Sequence, residues 1–385
     1  MVSPLFFGVF LAGCMPSVVT PGDTGCPGCD TGAGTDDTDE TAADTDDTSP
    51  PDDTDDTNLD TVPEEWWTVC GGGADFSDIQ SAVDAVPDGS TIYVCSGVWA
   101  GVRVIDRRLT IIGDGARSTF IIDATTTALI VSGSELTISG FQLRGTASAE
   151  EPWMGAYIVD SVVLLSDLTF AGNAARYSVA IASRSDTTWD RVVFENNRFG
   201  ALFGVVNGTS VIRHCVIRDN TIWSPNASSL VWLEADDYEF TNNLIHDNSP
   251  ADVGNWGLQA RRTDRGVVTN NTLYRNGGAT TVQVDDGVVF RNNIVAVSVA
   301  KGIASASELT DYNLIFGSGD PSSDTTAGTH ALFTDPGFTD PDEGDFTLSA
   351  TGSAGVDAGD PDGAYNDADG SRNDLGAFGG PGGAW

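Results

Sequence analysis

Apolar and polar positions recur along the chain in short runs of four to six residues, each bounded by Gly, Asn, Asp or Ser. Three of the clearest runs are EFTNNLIHDN at 239–248, VVTNNTLYRN at 267–276 and VFRNNIVAVS at 289–298. Short alternating runs between turn residues are typical of β-strands. The pattern therefore predicts many short strands separated by tight turns.

These runs align as repeats of one unit. Aligning them places one equivalent position of each unit in a column with steps of 20 to 28 residues, which contains Phe141, Leu168, Val192, Cys215, Asn243, Asn271, Asn293 and Asn313. A unit of this length without a helix cannot bury its apolar side chains alone, but stacked units can. We therefore expect a solenoid of roughly ten coils, with parallel strands about 4.8 Å apart between coils.

Asparagine occupies two positions of the repeat. At a coil corner it can adopt the left-handed backbone conformation, and its amide can bond to the amides above and below it. The sequence therefore predicts two asparagine ladders. The first consists of Asn243, Asn271, Asn293 and Asn313, and the second of Asn173, Asn197, Asn220, Asn248 and Asn276.

One helix is predicted, directly before the repeats, in ADFSDIQSAVDAVPDGSTIYVC. Ser77 and Gln80 have the spacing of a capping box, and Pro87 and Gly89 end the segment. The apolar stripe consists of Ile79, Ala82, Val83 and Val86. An amphipathic helix followed by the strand STIYVC would cover the first coil of a stack.

The amino terminus has the pattern of an export signal. A short apolar run from Leu5 is followed by Leu11-Ala12-Gly13-Cys14, which resembles the lipobox of bacterial lipoproteins, although no Lys or Arg precedes the run. The resemblance implies a signal peptide at residues 1–13 and lipid attachment at Cys14. Two or more acyl chains would hold the protein stably to a membrane surface. The alternatives are an ordinary secretory signal and a true start codon that lies upstream.

The next segment, residues 14–65, is rich in Asp and Thr. It carries 16 acidic residues between Asp23 and Glu65 and no Lys or Arg. Such a segment cannot bury enough apolar surface to offset its ordering entropy, and its like charges repel one another. We predict a disordered acidic linker.

The charge of the remaining chain limits its partners. Of the 56 acidic residues, 40 lie in residues 66–385, against 18 basic residues, which gives a net charge of −22. A surface of this sign repels phosphate backbones, so nucleic-acid binding is not expected. Divalent cations are compatible with it.

The six cysteines are assigned separately. Cys14 is the predicted lipid site, and Cys26 and Cys29 are predicted to form a local disulfide in the linker. Cys70 and Cys95 flank the helical segment and suit a disulfide in an oxidising compartment. The last cysteine, Cys215, occupies an apolar strand position and is predicted to be a small core residue.

The sequence resembles the right-handed parallel β-helix superfamily, the pectin-lyase-like fold. The resemblance rests on GADFSDIQSAVDAVPDGSTIYVCSGVW, followed by LTIIGDGARSTFIID, and on the repeats to about residue 317. It implies an all-β, right-handed parallel β-helix solenoid at residues 66–320 with a short N-terminal capping helix. Residues 321–385, ending in DADGSRNDLGAFGGPGGAW, would form an Asp- and Gly-rich capping segment that covers the last coil.

The same superfamily contains esterases, lyases, hydrolases and non-catalytic adhesins, so the fold does not decide the activity. A pectin methylesterase would carry a Gln and two Asp residues in motifs of the middle coils. The corresponding segments here, SVAIAS and RFGALFG, lack the Gln and an Asp. We do not expect esterase activity.

A lyase requires acidic ligands for Ca²⁺ and an Arg or Lys that removes a proton next to a carboxylate. The segments LVWLEADDYEF and NWGLQARRTDRG offer both, together with aromatic surfaces for sugars. The predicted calcium ligands are Glu234, Asp236 and Asp237. The predicted catalytic residues are Arg261 and Arg262, and the predicted ligand-binding residues are Trp232, Trp256 and Arg265. The alternative is that these charges form ion pairs between coils at a solvated corner.

The C-terminal segment offers a second set of acids for a looser calcium site, namely Asp360, Asp362, Asp367, Asp369 and Asp374. The preferred functional hypothesis is a non-catalytic β-helix that binds polysaccharide or another surface polymer. It would act as a monomer, lipid-anchored at the outer membrane or cell surface. The rival hypotheses are a calcium-dependent polysaccharide lyase or related enzyme, and a structural spacer without a ligand.

Overall fold

The computed structural model describes residue 63 and residues 65–123, 127–145, 155–222, 229–250, 256–261, 263–278, 280–298, 301–319, 326–349 and 351–385. The predicted signal peptide, Cys14, the predicted Cys26–Cys29 pair and almost all of the predicted linker lie outside these residues, as does Arg262.

Most of the described chain forms three parallel sheets, numbered here in the order in which each coil visits them. Sheet 1 contains Trp67–Val69, Thr91–Val94, Arg108–Gly113, Glu135–Ser139, Val162–Ser166, Asp186–Asp190, Thr209–Arg213, Asp237–Thr241, Arg265–Thr269, Val289–Arg291 and Thr310–Asp311. Sheet 2 contains Gly97–Trp99, Thr119–Asp123, Gln142–Gly145, Thr169–Ala171, Val193–Glu195, Val216–Arg218, Leu244–His246, Thr272–Tyr274, Ile294–Ala296 and Leu314–Phe316.

Sheet 3 completes each coil. It contains Val102–Ile105, Leu129–Ser132, Ala156–Val159, Ala174–Ser183, Arg198–Val206, Ser229–Glu234, Trp256–Ala260, Thr280–Val284 and Lys301–Ser305, with the short strands Thr221–Ile222 and Ser249–Pro250 beside them. The first corner joins sheets 1 and 2, the second joins sheets 2 and 3, and the third returns the chain to sheet 1 of the next coil. The protein is a right-handed parallel β-helix of about nine turns, which confirms the predicted fold.

Stacking of like residues fills the interior. Inward-facing side chains alternate with outward-facing ones along each strand, so equivalent positions of successive coils lie above one another. The rings of Phe170 and Phe194, which are register partners in sheet 2, stack with their centroids 4.8 Å apart. One continuous apolar core runs through the coils. Cys215 belongs to this core and is a free, buried thiol, as predicted.

The predicted helix covers the first coil at Ile79–Ala85, with Ile79, Ala82 and Val83 buried. Its N-cap is Asp78 rather than Ser77, because the Asp78 carboxylate accepts the backbone N–H of Ser81 at 2.8 Å. A disulfide joins Cys70 to Cys95 beside this helix. No helix in the described part of the chain is long and apolar enough to cross a membrane.

Both predicted asparagine ladders are present. In the first corner, Asn271 Oδ1 accepts the backbone N–H of Asn243 at 2.9 Å and the side-chain amide of Asn243 at 3.0 Å. The same two bonds link Asn271 to Asn293 and Asn293 to Asn313. In the second corner they link every neighbouring pair of the predicted ladder.

The left-handed backbone lies one residue earlier than predicted. Asn242, Asn270 and Asn292 have φ angles of 54°, 54° and 59°, whereas the ladder asparagine that follows each of them does not have a positive φ. The first asparagine of each Asn-Asn pair therefore makes the tight turn and faces outward. The second faces inward and continues the ladder.

A third ladder, of serines, was not predicted. In the third corner, Ser161 Oγ accepts the backbone N–H of Ser134 at 3.1 Å, and Ser185 Oγ accepts that of Ser161 at 3.1 Å. Two coils further along, Asp236 Oδ2 takes the same role and accepts the N–H of Gly208 at 2.9 Å. This corner therefore uses side-chain oxygens to bind the backbone of the preceding coil.

The C-terminal segment covers more than the predicted edge of the last coil. Leu332 pairs with Leu314 at that edge, while the hairpin Phe338–Asp340 and Asp345–Leu348 packs Phe346 on Leu244 of sheet 2. A single 3₁₀ turn, Gly363–Tyr365, follows.

Residues 374–385, called the tail, then run back along the first corner. Asn270 Nδ2 donates to the carbonyl of Asp374 at 3.1 Å, and Asn242 Nδ2 donates to that of Gly379 at 2.7 Å. His214 Nε2 lies 3.1 Å from the Gly382 carbonyl. The outward asparagines of the Asn-Asn pairs thus hold the tail, while the inward asparagines hold the coils.

Candidate functional site

The outer face of sheet 3 carries a row of in-register residues, one from each of six successive coils. The strand register makes neighbours of Tyr157, Ile181, Gly204, Trp232, Gln259 and Gln283, in that order. Their flanking residues belong to the core, for example Val231 and Leu233 beside Trp232. Because successive strand residues point to opposite faces, this row points outward. We call it the central row.

Two amides at the end of the central row bond to each other. Gln259 Nε2 donates to Gln283 Oε1 at 3.2 Å, and Gln283 Nε2 donates to Asp285 Oδ1 at 3.5 Å. The Gln259 side chain is held in the sheet surface, since the residue is only 3% exposed. Each amide is thus held by a neighbouring side chain, and Gln283 is the more exposed of the two.

Trp232 lies next to Gln259 in the central row. Its ring is half-buried, and its indole Nε1 is buried without a hydrogen-bond partner among the described residues. A buried donor without a partner costs about 1–3 kcal/mol. This nitrogen is one of five buried side-chain polar atoms without a hydrogen-bond partner in the described part of the chain.

Gly204 is the register neighbour of Trp232 on the side away from Gln259. A Cβ added at Gly204 would come no closer than 3.8 Å to the carbonyl oxygen of Trp232 and 3.9 Å to the Ile181 side chain. Gly204 is itself buried, and an added Cβ would make only ordinary van der Waals contacts with these neighbours. Gly204 separates the two aromatic residues of the central row, Tyr157 and Trp232, which are three coils apart and hence about 14 Å from each other.

A charged row follows two residues later on the same face. It contains Glu234, Arg261 and Asp285, which succeed Trp232, Gln259 and Gln283 by two positions each. Arg261 Nε lies 3.5 Å from Asp285 Oδ2. The buried Tyr238 hydroxyl donates to the Arg261 carbonyl at 2.9 Å and fixes the backbone there. Burial raises the pKa of Tyr238, so this hydroxyl stays protonated.

The other predicted charged residues lie beyond the third corner. Arg265 pairs with Asp237 at 3.0 Å and with Glu239 at 2.7 Å at the start of sheet 1. Hydrogen bonds from the Arg265 side chain to Asp237 and then to Glu239 raise the pKa of Arg265. Asp236 is turned towards Gly208 of the preceding coil, whereas Arg261 faces Asp285 of the following one. Of the predicted residues that the structure describes, Asp236, Asp237, Arg261 and Arg265 therefore bond to different partners.

The two predicted tryptophans are also separated. Trp256 is the register partner of the buried residues Ser229 and Thr280. It precedes Gln259 by three positions and points to the opposite side of the strand. Trp256 is therefore not part of the central row, and Trp232 alone of the two lies on the outer face.

The predicted calcium ligands are dispersed. Among the described residues, no group of three or more His, Cys, Asp or Glu side chains is placed to hold a metal ion. In the C-terminal segment, Asp360 pairs with Arg291, Asp362 caps the 3₁₀ turn and Asp369 accepts the Ser371 N–H at 2.9 Å. Asp367 accepts the Asp374 N–H at 3.0 Å, so these carboxylates serve the fold of their own loop.

Gln259 and Gln283 were not among the residues predicted from the sequence. Their signal is present in LQA at 258–260 and VQV at 282–284, which place a glutamine at the same position of successive repeats. A residue type that recurs in register on an outward position forms a continuous strip on a solenoid. Gly204 and Tyr157 carry no comparable sequence signal.

Comparison with known proteins agrees with the observed fold. Residues 155–315 match the family model described as "Right handed beta helix region". No curated protein sequence matches the chain significantly.

Similar solved structures include a pectin methylesterase from Erwinia chrysanthemi, with 10% identity, 74% of this chain and 98% of that chain covered, and a TM-score of 0.37. A pectin methylesterase from carrot has 14% identity, covers 72% and 90% of the two chains, and has a TM-score of 0.30. An alginate lyase from Paenibacillus sp. has 11% identity, 66% and 94% coverage, and a TM-score of 0.28.

Proposed function

We propose that this protein binds a polysaccharide along the outer face of sheet 3 and does not cleave it. The observation that carries the proposal is the central row, in which an indole and two amides stand in register next to the small residue Gly204. Aromatic rings provide surfaces for sugar rings, and amides pair with hydroxyl groups. The row runs along the solenoid axis, so a linear polymer can contact several coils at once.

The proposal includes display at a cell surface. The lipobox-like segment that ends at Cys14 and the acidic segment after it support a protein held by lipid and separated from the membrane by a linker. The test is metabolic labelling with a radioactive fatty acid. Wild-type protein should incorporate the label and Cys14→Ser should not, and equal labelling of the two would refute the anchor.

The predicted calcium-dependent lyase receives no support from a specific observation. Arg261 is paired with Asp285, Arg265 with Asp237 and Glu239, and Asp236 with the Gly208 backbone. Absorbance at about 235 nm detects the unsaturated products of a lyase acting on a uronate. We expect no increase in absorbance when the protein is incubated with pectate or alginate and Ca²⁺.

The direct test adds a side chain at Gly204 of the central row. Gly204→Val adds a branched side chain at a strand position where a Cβ meets only ordinary contacts. The variant should keep the wild-type thermal midpoint and should bind polysaccharide at least 10-fold more weakly. Affinity electrophoresis of the full chain through gels containing a panel of polysaccharides measures both the ligand and the loss.

Thr137→Val is the matched control. Thr137 is half-buried on the outer face of sheet 1, between Thr110 and Leu164, so the substitution places the same side chain on a different face. It should leave binding unchanged. Equal binding by Gly204→Val and wild type, or equal loss in both variants, would refute sheet 3 as the binding face.

A further inference from the structure

We infer that the polysaccharide is a neutral glycan rather than a polyuronate. This inference rests on the proposed function and adds the chemical class of the ligand. The groups of the central row that would contact the ligand are one indole N–H, two amides and apolar surface, and all of them are uncharged. Such groups match hydroxyl-rich sugar rings, and none of them neutralises a carboxylate.

Two cations near the central row are already bound by acids. Arg261 lies beside Asp285. In the third corner, Arg184 forms two hydrogen bonds with Asp160, at 2.7 and 2.8 Å. These short bonds lower the pKa of Asp160 and keep it ionised. A uronate would therefore have to displace an intramolecular carboxylate in order to gain an arginine.

The acidic groups around the central row also disfavour binding of a polyuronate. The groove of the third corner, which adjoins sheet 3, is lined by Glu135, Asp160, Asp186 and Asp236, with Arg184 as its single cation among the described lining residues. The whole chain has a formal net charge of −38. Surface charges act over a Debye length of about 8 Å at physiological salt, so a polyanion would be repelled as it approached the central row.

The unpaired indole nitrogen of Trp232 offers the glycan a defined contact. Trp232 Nε1 is buried without a partner among the described residues, and a buried donor gains free energy when it finds an acceptor. A sugar hydroxyl can accept this hydrogen bond once the indole turns towards the outer face. A neutral ring seated there would contact the indole and the Gln259 amide together.

The test compares glycans that differ in charge. Binding of the full chain is measured by isothermal titration calorimetry to mixed-linkage β-glucan, xylan and galactomannan, to polygalacturonate and alginate, and to chitosan as a cationic polymer. At least one neutral glycan should bind 10-fold more tightly than either polyuronate in 20 mM salt. Its affinity should change less than twofold between 20 and 500 mM salt.

The possible outcomes separate the two proposals. Tighter binding of a polyuronate or of chitosan would overturn the neutral class but leave the binding face intact. An absence of binding to every polymer would overturn the proposed function itself. A neutral ligand whose affinity is lost in Gly204→Val and kept in Thr137→Val would support both.

Trp232→Phe tests the indole contact without removing the aromatic ring. We expect about 10-fold weaker binding of the neutral glycan and a thermal midpoint at or above that of wild type, because the variant removes an unpaired buried donor. Unchanged affinity would show that the ligand does not use this nitrogen and would overturn the contact. Trp67→Phe, an exposed tryptophan of the first strand, is the control and should bind as wild type does.

Discussion

The first corner is built in two ways along one solenoid. In the N-terminal half its column contains Phe141, Leu168 and Val192, which are at most 1% exposed, and in the C-terminal half it contains the fully buried ladder from Asn243 to Asn313. Cys215 stands at the boundary. Its backbone N–H donates to Asn243 Oδ1 at 3.0 Å, and its thiol faces the Trp189 carbonyl at 3.6 Å. Burial raises the pKa of this thiol to about 12, so it remains a donor.

The difference shows that the backbone of the corner does not dictate its polarity. An apolar column requires only that neighbouring shapes fill the space. An amide column requires that each amide has another amide above and below it, since a single buried amide would leave donors and acceptors unpaired. Whether a side chain at this corner stabilises or destabilises the fold therefore depends on its neighbours along the solenoid axis.

Interrupting the amide column should have the largest effect. Asn271→Leu leaves the N–H and amide of Asn243 without their acceptor and the carbonyl of Phe240 without its donor. At about 1–3 kcal/mol for each unsatisfied buried group, the free energy of unfolding should fall by about 4 kcal/mol or more. Urea titration measures this loss. Gln142→Leu, at a half-buried outward position of sheet 2, should change stability by less than about 0.5 kcal/mol.

An amide introduced into the first-corner column should lower the free energy of unfolding less at Cys215 than at Leu168. Leu168→Asn puts an amide between Phe141 and Val192 and should cost about 3 kcal/mol or more. Cys215→Asn extends the ladder by one unit, because the introduced amide faces Trp189 O and Asn243 Oδ1, and should change stability by about 1 kcal/mol or less. Thermal unfolding of the two variants gives the comparison. Equal costs would contradict the importance of axial neighbours.

The smallest expected effect concerns the outward residues of the same corner. In the N-terminal half, Arg191 donates to Asp167 at 2.7 and 2.8 Å, and these bonds hold the pKa of Asp167 below its ordinary value. The pair therefore stabilises the fold above about pH 4, and this contribution is lost as the pH falls through the lowered pKa.

Because both side chains are about half exposed, the loss should be under about 1 kcal/mol. Thermal midpoints measured from pH 5 to pH 2 should fall less steeply for Asp167→Asn than for wild type. Asn270→Asp introduces a carboxylate at the equivalent outward position of the amide half. The thermal midpoint of this variant should therefore gain an additional dependence on pH. Parallel curves for wild type and Asp167→Asn would contradict the assignment.

The fold was predictable because the length of its repeat can be determined from the sequence. The ladder positions could be identified from spacing alone, since each coil repeats the same slot. The turn residue could not, because both residues of each Asn-Asn pair tolerate the left-handed conformation. The helix cap was likewise displaced by one residue, since Ser77 and Asp78 are both good N-cap residues.

The binding face was only partly predictable. Trp232, Glu234 and Arg261 do share the outer face of sheet 3, but Asp237 and Arg265 lie past the third corner. Proximity in sequence suggested one cluster, whereas a turn after Glu234 directs the following residues onto another sheet. Recurrence of one residue type at the same position of successive coils is the better guide, and it would have identified Gln259 and Gln283.

The tail has a consequence for the order of folding. Ladder contacts join residues about one coil apart, for example 22 residues between Asn271 and Asn293, whereas His214 and Gly382 are 168 residues apart. Short loops close before long ones, so coils should assemble first and the tail should dock last. Until then the C-terminal coils are joined only to their neighbours and can fray one at a time. Docking turns a row of separately melting coils into one unit whose opening must begin with release of the tail.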